Sequence, residues 1–279
     1  MVQELASNNQ EPPMIKWRKL KGGRDRPGII YKKTGMLVKQ KIKYIQSLGQ
    51  KKFRDETGLF VAEGPKLISE LLEGRTAVIE EIYGLRDWID QQKNIPAGIH
   101  VMEIKEPELE KISQLSTPNK VIAVARQYEA VAPIIVKDRI TLALDTIQDP
   151  GNMGTIIRIA DWFGISQIVC NNGTADVYNP KTIQSTMGSI ARVNVYYTDL
   201  AAWLSAQKDI RIYAAALEGQ DIGSMKQIKE GILVIGNESK GISDTIMHLA
   251  NVKITIPKKG KAESLNAALA TGIILSHIC

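Results

Sequence analysis

The sequence predicts an α/β protein in two parts, a small α/β module followed by a larger domain built on a mostly parallel sheet. Three observations predict it. From residue 140 onward, short apolar runs alternate with helix-forming stretches, the pattern of strands joined by crossover helices. Runs such as "ILVIG" and "VKITI" are nearly all apolar, as strands covered on both faces are. The chain has 279 residues, 44% of them hydrophobic and 24% charged, enough for two ordinary domains that each bury a core.

The elements follow in order. Residues 1–35 are polar, basic and rich in Gly and Pro, without periodicity, and read as a largely irregular extension. Val38, Ile42, Ile45 and Leu48 recur at helical spacing over 37–48. "LFVAEG" reads as a strand, and "PKLISELLEG" as a helix begun by Pro65 and stopped by Gly74. Strands are expected at 77–84, 99–104 and 121–126, with helical stretches near 85–92 and 106–115. These elements make a module over 36–127, and 128–139 reads as a linker. Over 140–279, strands are expected at 140–145, 167–170, 192–197, 211–216, 231–236 and 252–256. Helices are expected at 155–163, 181–188, 199–207, 243–249 and 265–278. "DPGNMG" (149–154) reads as a loop, so Arg158 falls in the first turn of the helix after it. A cation there opposes the helix dipole by about 0.3–1 kcal/mol, which raises the question of its use.

Charge is unevenly placed. Residues 1–54 carry 14 Lys/Arg against 3 Asp/Glu, a net of +11, while the other 225 residues carry 22 against 27, a net of −5. A basic end of this size, with a lone Trp17 inside it, reads as an arm that contacts nucleic-acid phosphates. The N-terminus has no apolar signal core and no apolar run approaches a membrane span, so a cytoplasmic protein with no membrane association is expected. Two cysteines and three scattered histidines (His100, His248, His277) exclude a disulfide framework and a CxxC metal site, and no metal is expected.

Three loops at the C-terminal ends of the expected strands stand out, because ligands of open α/β sheets bind there. They are "TIQDPGNMGTIIR", "GNESKGIS" (236–243) and "PKKGKAESLNAAL" (257–269). Glycines 151, 154, 236, 241 and 260 permit positive φ and close backbone approach. Asn152, Asn237 and Asn266 offer paired donors and acceptors, Arg158 and Glu238 fixed charges, and Ser264 a helix N-cap. Taken singly, each loop reads as an ordinary turn, and Arg158 as the partner of Asp161. No GxGxxG follows a strand and no GxxxxGK[ST] occurs, which disfavours a nicotinamide oxidoreductase or a nucleoside triphosphatase.

Together, "ALDTIQDPGNMGTIIRIADWFG", "LVIGNESKGIS" and "ITIPKKGKAESLNAALATGIIL" closely resemble the three motifs of the SpoU/TrmH family, RNA ribose 2′-O-methyltransferases of the SPOUT class. The resemblance covers 140–279, and a weaker one, carried by "FVAEGPKLISELL", extends to the family's substrate-binding module. It implies a C-terminal domain whose chain is threaded as a trefoil knot, a rare exception to the usual topology rules. It also implies a homodimer and S-adenosylmethionine as methyl donor, held largely by backbone at Leu217, Gly219, Gly236, Ile256 and Leu265. The implied reacting site is Arg158 at the ribose 2′-hydroxyl, with Asn152, Glu238, Ser264 and Asn266 around it. Whether Arg158 is a general base or a cationic stabiliser stays open, because a free guanidinium is effectively always protonated. Ala267 and Ala268 replace the valine and serine frequent in the family, which implies altered packing rather than lost chemistry. Ribosomal RNA is the implied substrate, ahead of transfer RNA and of a non-catalytic RNA-binding role.

Overall fold

A computed structural model describes residues 30–32, 37–74, 78–92, 95–128 and 134–279. The basic arm therefore lies outside the described residues, except for 30–32. Those three residues form β1 (Ile30–Lys32), which pairs in parallel with β4 (His100–Glu103).

The first sheet has the order β1-β4-β3-β5-β2, completed by β2 (Leu59–Glu63), β3 (Val78–Gly84) and β5 (Val121–Arg126). β4 pairs parallel with β3, and β5 runs antiparallel to both β3 and β2. Around it pack α1 (Lys39–Ser47), α2 (Lys51–Thr57), α3 (Pro65–Glu73), α4 (Arg86–Gln91) and α5 (Glu106–Ile112). The helix α2 has no counterpart in the sequence reading, since "KKFRDET" carries almost no apolar face. What sustains it is polar. Lys51 pairs with Asp55 one turn on at 2.8 Å, and Gly58 closes the helix in the left-handed conformation at φ 66°.

The second sheet is parallel throughout, in the order β11-β9-β10-β6-β7-β8. Its strands are β6 (Ile140–Asp145), β7 (Gln167–Asn171), β8 (Asn194–Thr198), β9 (Ile212–Asp221), β10 (Gly231–Gly236) and β11 (Val252–Thr255). The helices are α6 (Pro150–Trp162), α7 (Pro180–Thr186), α8 (Leu200–Ser205), α9 (Asp244–Met247) and α10 (Ala267–Ile278). One apolar cluster runs from Phe60, Leu67 and Leu71 through Leu142, Ile156 and Ile183 to Ile274, so the two sheets share a continuous core. Each such Leu or Ile contributes roughly 1.5–3 kcal/mol by leaving water. Polar anchors reinforce the junction. Arg54, 2% exposed, pairs with Asp176 at 2.6 Å, and Arg192 binds both Glu70 and Asp161. Phe60, Tyr128 and Tyr178 pack edge-to-face and tilted beside them, with the Tyr128 amide donating to the Tyr178 hydroxyl at 2.7 Å. No helix among the described residues is long and apolar enough to cross a membrane.

Candidate active site

The site begins where β6 ends. Asp149 caps α6 by accepting from the Asn152 amide at 2.8 Å, and Pro150 supplies the pre-set φ of a first helical residue. "DPGNMG" is therefore the first turn of a helix and not a loop. Arg158 lies more than two turns in, so the dipole cost expected for it does not arise. The glycines that suggested a loop have another use. Gly154 faces α7, where a Cβ would meet the Thr182 carbonyl and Ser185. Lys181 binds Asp149 at 2.7 Å, and that bond and the Asn152 amide hold the Asp149 carboxyl below its ordinary range, so the cap is charged at neutral pH.

The three motif loops meet in one hydrogen-bonded chain. Asn266 donates to Asn152 Oδ1 at 2.8 Å, and Asn152 donates through Nδ2 to Glu238 Oε1 at 2.5 Å. Asn266 also caps α10, accepting from the amides of Ala268 and Leu269. It displaces Ser264 from the capping role the sequence suggested, and α10 starts at 267 rather than 265. Ser264 is exposed on the loop before it. Glu238 sits in a tight hairpin closed by reciprocal backbone bonds between Asn237 and Gly241, with Gly241 at φ 70°.

Arg158 stands apart from this chain. It is exposed on the face of α6 that carries Thr155 and Trp162, and among the described residues no carboxylate pairs with it. Asp161, its suggested partner, instead accepts from Arg192 Nε at 3.0 Å and Nη2 at 2.8 Å. Its neighbour Arg192 is spent on Asp161 and Glu70; Arg158 is left available to a ligand.

Of the five positions implied for the cofactor, Leu217 and Gly219 lie in the second half of β9, Gly236 ends β10, and Ile256 and Leu265 follow β11. β9 runs longer than expected, and its pairing with β11 jumps: Lys253 faces Ala214, but Ile254 faces Gln220. Residues 215–219 are thereby extruded, leaving Leu217 77% exposed, and the Leu217 carbonyl accepts from Thr255 Oγ1 at 3.0 Å. Gly219 lies against the neighbouring chain, where a Cβ would stand 2.5 Å from the Lys253 carbonyl oxygen, and Gly236 lies equally close to the Gly241–Ile242 peptide. Ile256 follows β11, and Leu265, 45% exposed, precedes Asn266. Exposed backbone and uncovered apolar side chains suit an adenosine-bearing ligand. Gly219→Ala is expected to weaken cofactor binding at least tenfold in calorimetry, because backbone and not a flexible side chain must yield. Unchanged affinity would place the ligand elsewhere.

A cavity of about 620 Å³, lined by Leu71, Ile79, Glu80, Ile99, His100 and Arg126 among others, lies in the first sheet's domain and includes none of the three motifs. Among the described residues no His/Cys/Asp/Glu group could hold a metal.

Sequence reasoning missed a layer beneath the site. Asp145, buried at the end of β6, accepts from the Ser243 amide at 2.7 Å, from Asn171 Nδ2 at 2.7 Å and from Thr146 Oγ1 at 3.0 Å. Asn237 donates to the Thr146 carbonyl at 2.9 Å. The partners are up to 98 residues apart, so no local pattern could have shown them. Only the polar ends of otherwise apolar strands hinted at such a layer.

Comparisons with known proteins place the chain in a family. The SpoU rRNA Methylase family model matches residues 139–276, and the MRM3-like substrate binding domain model matches 39–123. The chain is 31% identical over 242 residues to the 23S rRNA (guanosine(2553)-2′-O)-methyltransferase RlmP of Bacillus subtilis, covering 86% of this chain and 96% of that protein. It is 28% identical over 243 residues to a 23S rRNA (uridine(2479)-2′-O)-methyltransferase of Streptomyces viridochromogenes, covering 82% and 85%. The S-adenosylmethionine-bound rRNA methyltransferase of Sinorhizobium meliloti superposes with a TM-score of 0.78 at 32% identity, covering 88% of this chain and 97% of that one. Fold, motif geometry and relatives converge: the chain belongs to the SpoU rRNA methylase family.

Proposed function

We propose that this protein transfers a methyl group from S-adenosylmethionine to a ribose 2′-hydroxyl of ribosomal RNA. The observation that carries the reading is the Asn266–Asn152–Glu238 chain, which brings three motifs separated by up to 114 residues to one point. Ribosomal RNA is favoured over transfer RNA by the substrates in the names of both curated relatives.

The bound cofactor supplies an electrophilic methyl carbon on a sulfonium. When bound, it would give up that methyl to the ribose oxygen with the neutral thioether as leaving group, and the hydroxyl proton would pass to solvent. The residues' roles follow from this. Arg158, exposed and without a carboxylate partner among the described residues, meets the 2′-oxygen as a cation and stabilises the negative charge that develops there. Asn152 is held with its amide spent on Glu238 and its carbonyl on Asn266, which fixes the floor against which the ribose seats. Glu238 orients Asn152, and Ser264 lies on the loop that closes the site. Leu217, Gly219, Gly236, Ile256 and Leu265 hold the cofactor.

We infer a homodimer formed across α6 and α10. The helix α10 is apolar on nearly every side and covers only one face within its own domain, leaving Leu269 61% exposed, and Trp162 at the end of the adjoining α6 is 85% exposed. The family resemblance of residues 139–276 supports a threaded, trefoil path for the C-terminal segment. A cytoplasmic setting, with the arm of residues 1–35 on RNA phosphates, completes the proposal.

The test uses radiolabelled S-adenosylmethionine with unmethylated ribosomal and transfer RNA pools, digested to nucleosides. A labelled 2′-O-methylnucleoside from ribosomal RNA is expected. Label in transfer RNA would keep the chemistry and overturn the substrate. A protein that binds the cofactor yet labels neither RNA, free or in ribosomal particles, would be a binding module.

A further inference from the structure

The residue that follows β6 is held in an unusual way. Thr146 has φ +61°, a left-handed conformation that a β-branched residue rarely adopts. All its polar atoms are engaged. Its amide donates to Asn171 Oδ1 at 3.1 Å; its hydroxyl donates to Asp145 Oδ1 at 3.0 Å and accepts from Asn171 Nδ2 at 2.8 Å; its carbonyl accepts from Asn237 Nδ2 at 2.9 Å. Such conformations persist where the surroundings over-determine them, and they gather at functional sites.

The consequence lies in the hairpin that carries Glu238. Its first residue, Asn237, is tied to the Thr146 carbonyl, and the chain just past it is tied by the Ser243 amide to Asp145 Oδ2 at 2.7 Å. Asn237 also shapes the hairpin from within, its Oδ1 accepting from the amides of Ser239 and Lys240. Two successive residues of one strand end thus grip both ends of a loop some 90 residues away. We propose that Asp145 and Thr146 form a clamp that sets the height of the 237–243 hairpin, and that Thr146 and Asn237 are positioning residues acting on the reaction through Glu238 and Asn152. The left-handed turn matters because it aims the Thr146 carbonyl at Asn237. The part concerning catalysis rests on the methyltransfer reading above; the clamp itself does not.

The test compares Thr146→Gly with Thr146→Val in the full-length protein. Both lose the hydroxyl and its two bonds. Only glycine adopts positive φ without steric cost, so only glycine keeps the carbonyl aimed. Amide hydrogen exchange reads the clamp directly. Gly241 and Ser243 are expected to stay protected in Thr146→Gly and to exchange at least tenfold faster in Thr146→Val. Asn237→Asp, which keeps the internal acceptor but sets an oxygen against the Thr146 carbonyl, is expected to match valine. On RNA, kcat is expected to fall at least tenfold in Thr146→Val and Asn237→Asp and to stay within threefold in Thr146→Gly, with the KM for RNA unchanged in all three. Equal exchange in the glycine and valine variants overturns the clamp. Exchange as expected with kcat unchanged overturns its catalytic role. A wild type that methylates no RNA defeats the methyltransfer reading, while exchange still decides the clamp.

Discussion

Arg158→Ala is expected to lower kcat for RNA methylation by at least 100-fold while leaving the cofactor dissociation constant within about twofold. Removing a single donor to a developing oxyanion typically costs 10²–10³ in rate, and among the described residues no ion pair holds Arg158 in the fold. It is exposed, and among the described residues no carboxylate engages it, so its loss should move stability by no more than about 0.5 kcal/mol. Single-turnover rates, cofactor calorimetry and a thermal melt on one preparation separate the three quantities. Arg158→Lys sharpens the result. A lysine keeps the charge and loses the planar fork, so recovery of most of the rate would show that charge alone is used. Joint loss of cofactor binding and activity in the alanine variant would contradict the role assigned to Arg158.

The second large effect is on stability. Arg54→Ala is expected to cost about 3–5 kcal/mol, the range for removing one partner of a buried ion pair. The guanidinium is 2% exposed and donates to the Leu48 and Gly49 carbonyls at 3.0 and 2.8 Å as well as to Asp176 at 2.6 Å. Without it, Asp176 keeps its bond from the Tyr178 amide but loses its counter-charge, and two carbonyls lose donors. At roughly 2–4 °C per kcal/mol for a domain of 150–250 residues, the melting temperature should fall by on the order of 10 °C. The double variant with Asp176→Ala should recover part of that loss, because no charge is then stranded. A fall of under 2 °C in the single variant would show that the pair contributes little.

These two arginines differ in how legible they were. Arg158 stood out because it sits at a fixed spacing from Asn152, inside a stretch whose partners, Glu238 and Asn266, recur in the family's order. Arg54 looked like one more cation in the basic end of the chain; its burial depends on Asp176, 122 residues later. The same contrast holds for the elements. The strands of the second sheet were legible because burial on both faces demands unbroken apolar runs. The start of α6 was not, since Pro and Gly signal a break and a helix start equally well until the cap is seen. Asn266 and Ser264 are both good capping residues, and only the bond to Asn152 shows why the asparagine takes the role. The layer of Asp145, Thr146, Asn171 and Asn237 was invisible because it joins the ends of three strands, β6, β7 and β10, mainly by tertiary contact.

The register jump between β9 and β11 has a bearing on solubility. β11 is an outer strand of its sheet, and an outer strand with a regular row of free N–H and C=O groups invites pairing by another chain. Here the strand is only four residues long, carries Lys253, and lies beside a partner whose middle five residues are thrown out of register. A foreign strand would find no straight ladder to extend. The irregularity that exposes Leu217 thus also blunts the sheet against fibril-like growth, so a variant with residues 215–219 shortened to a plain strand would regularise the edge and make it stickier.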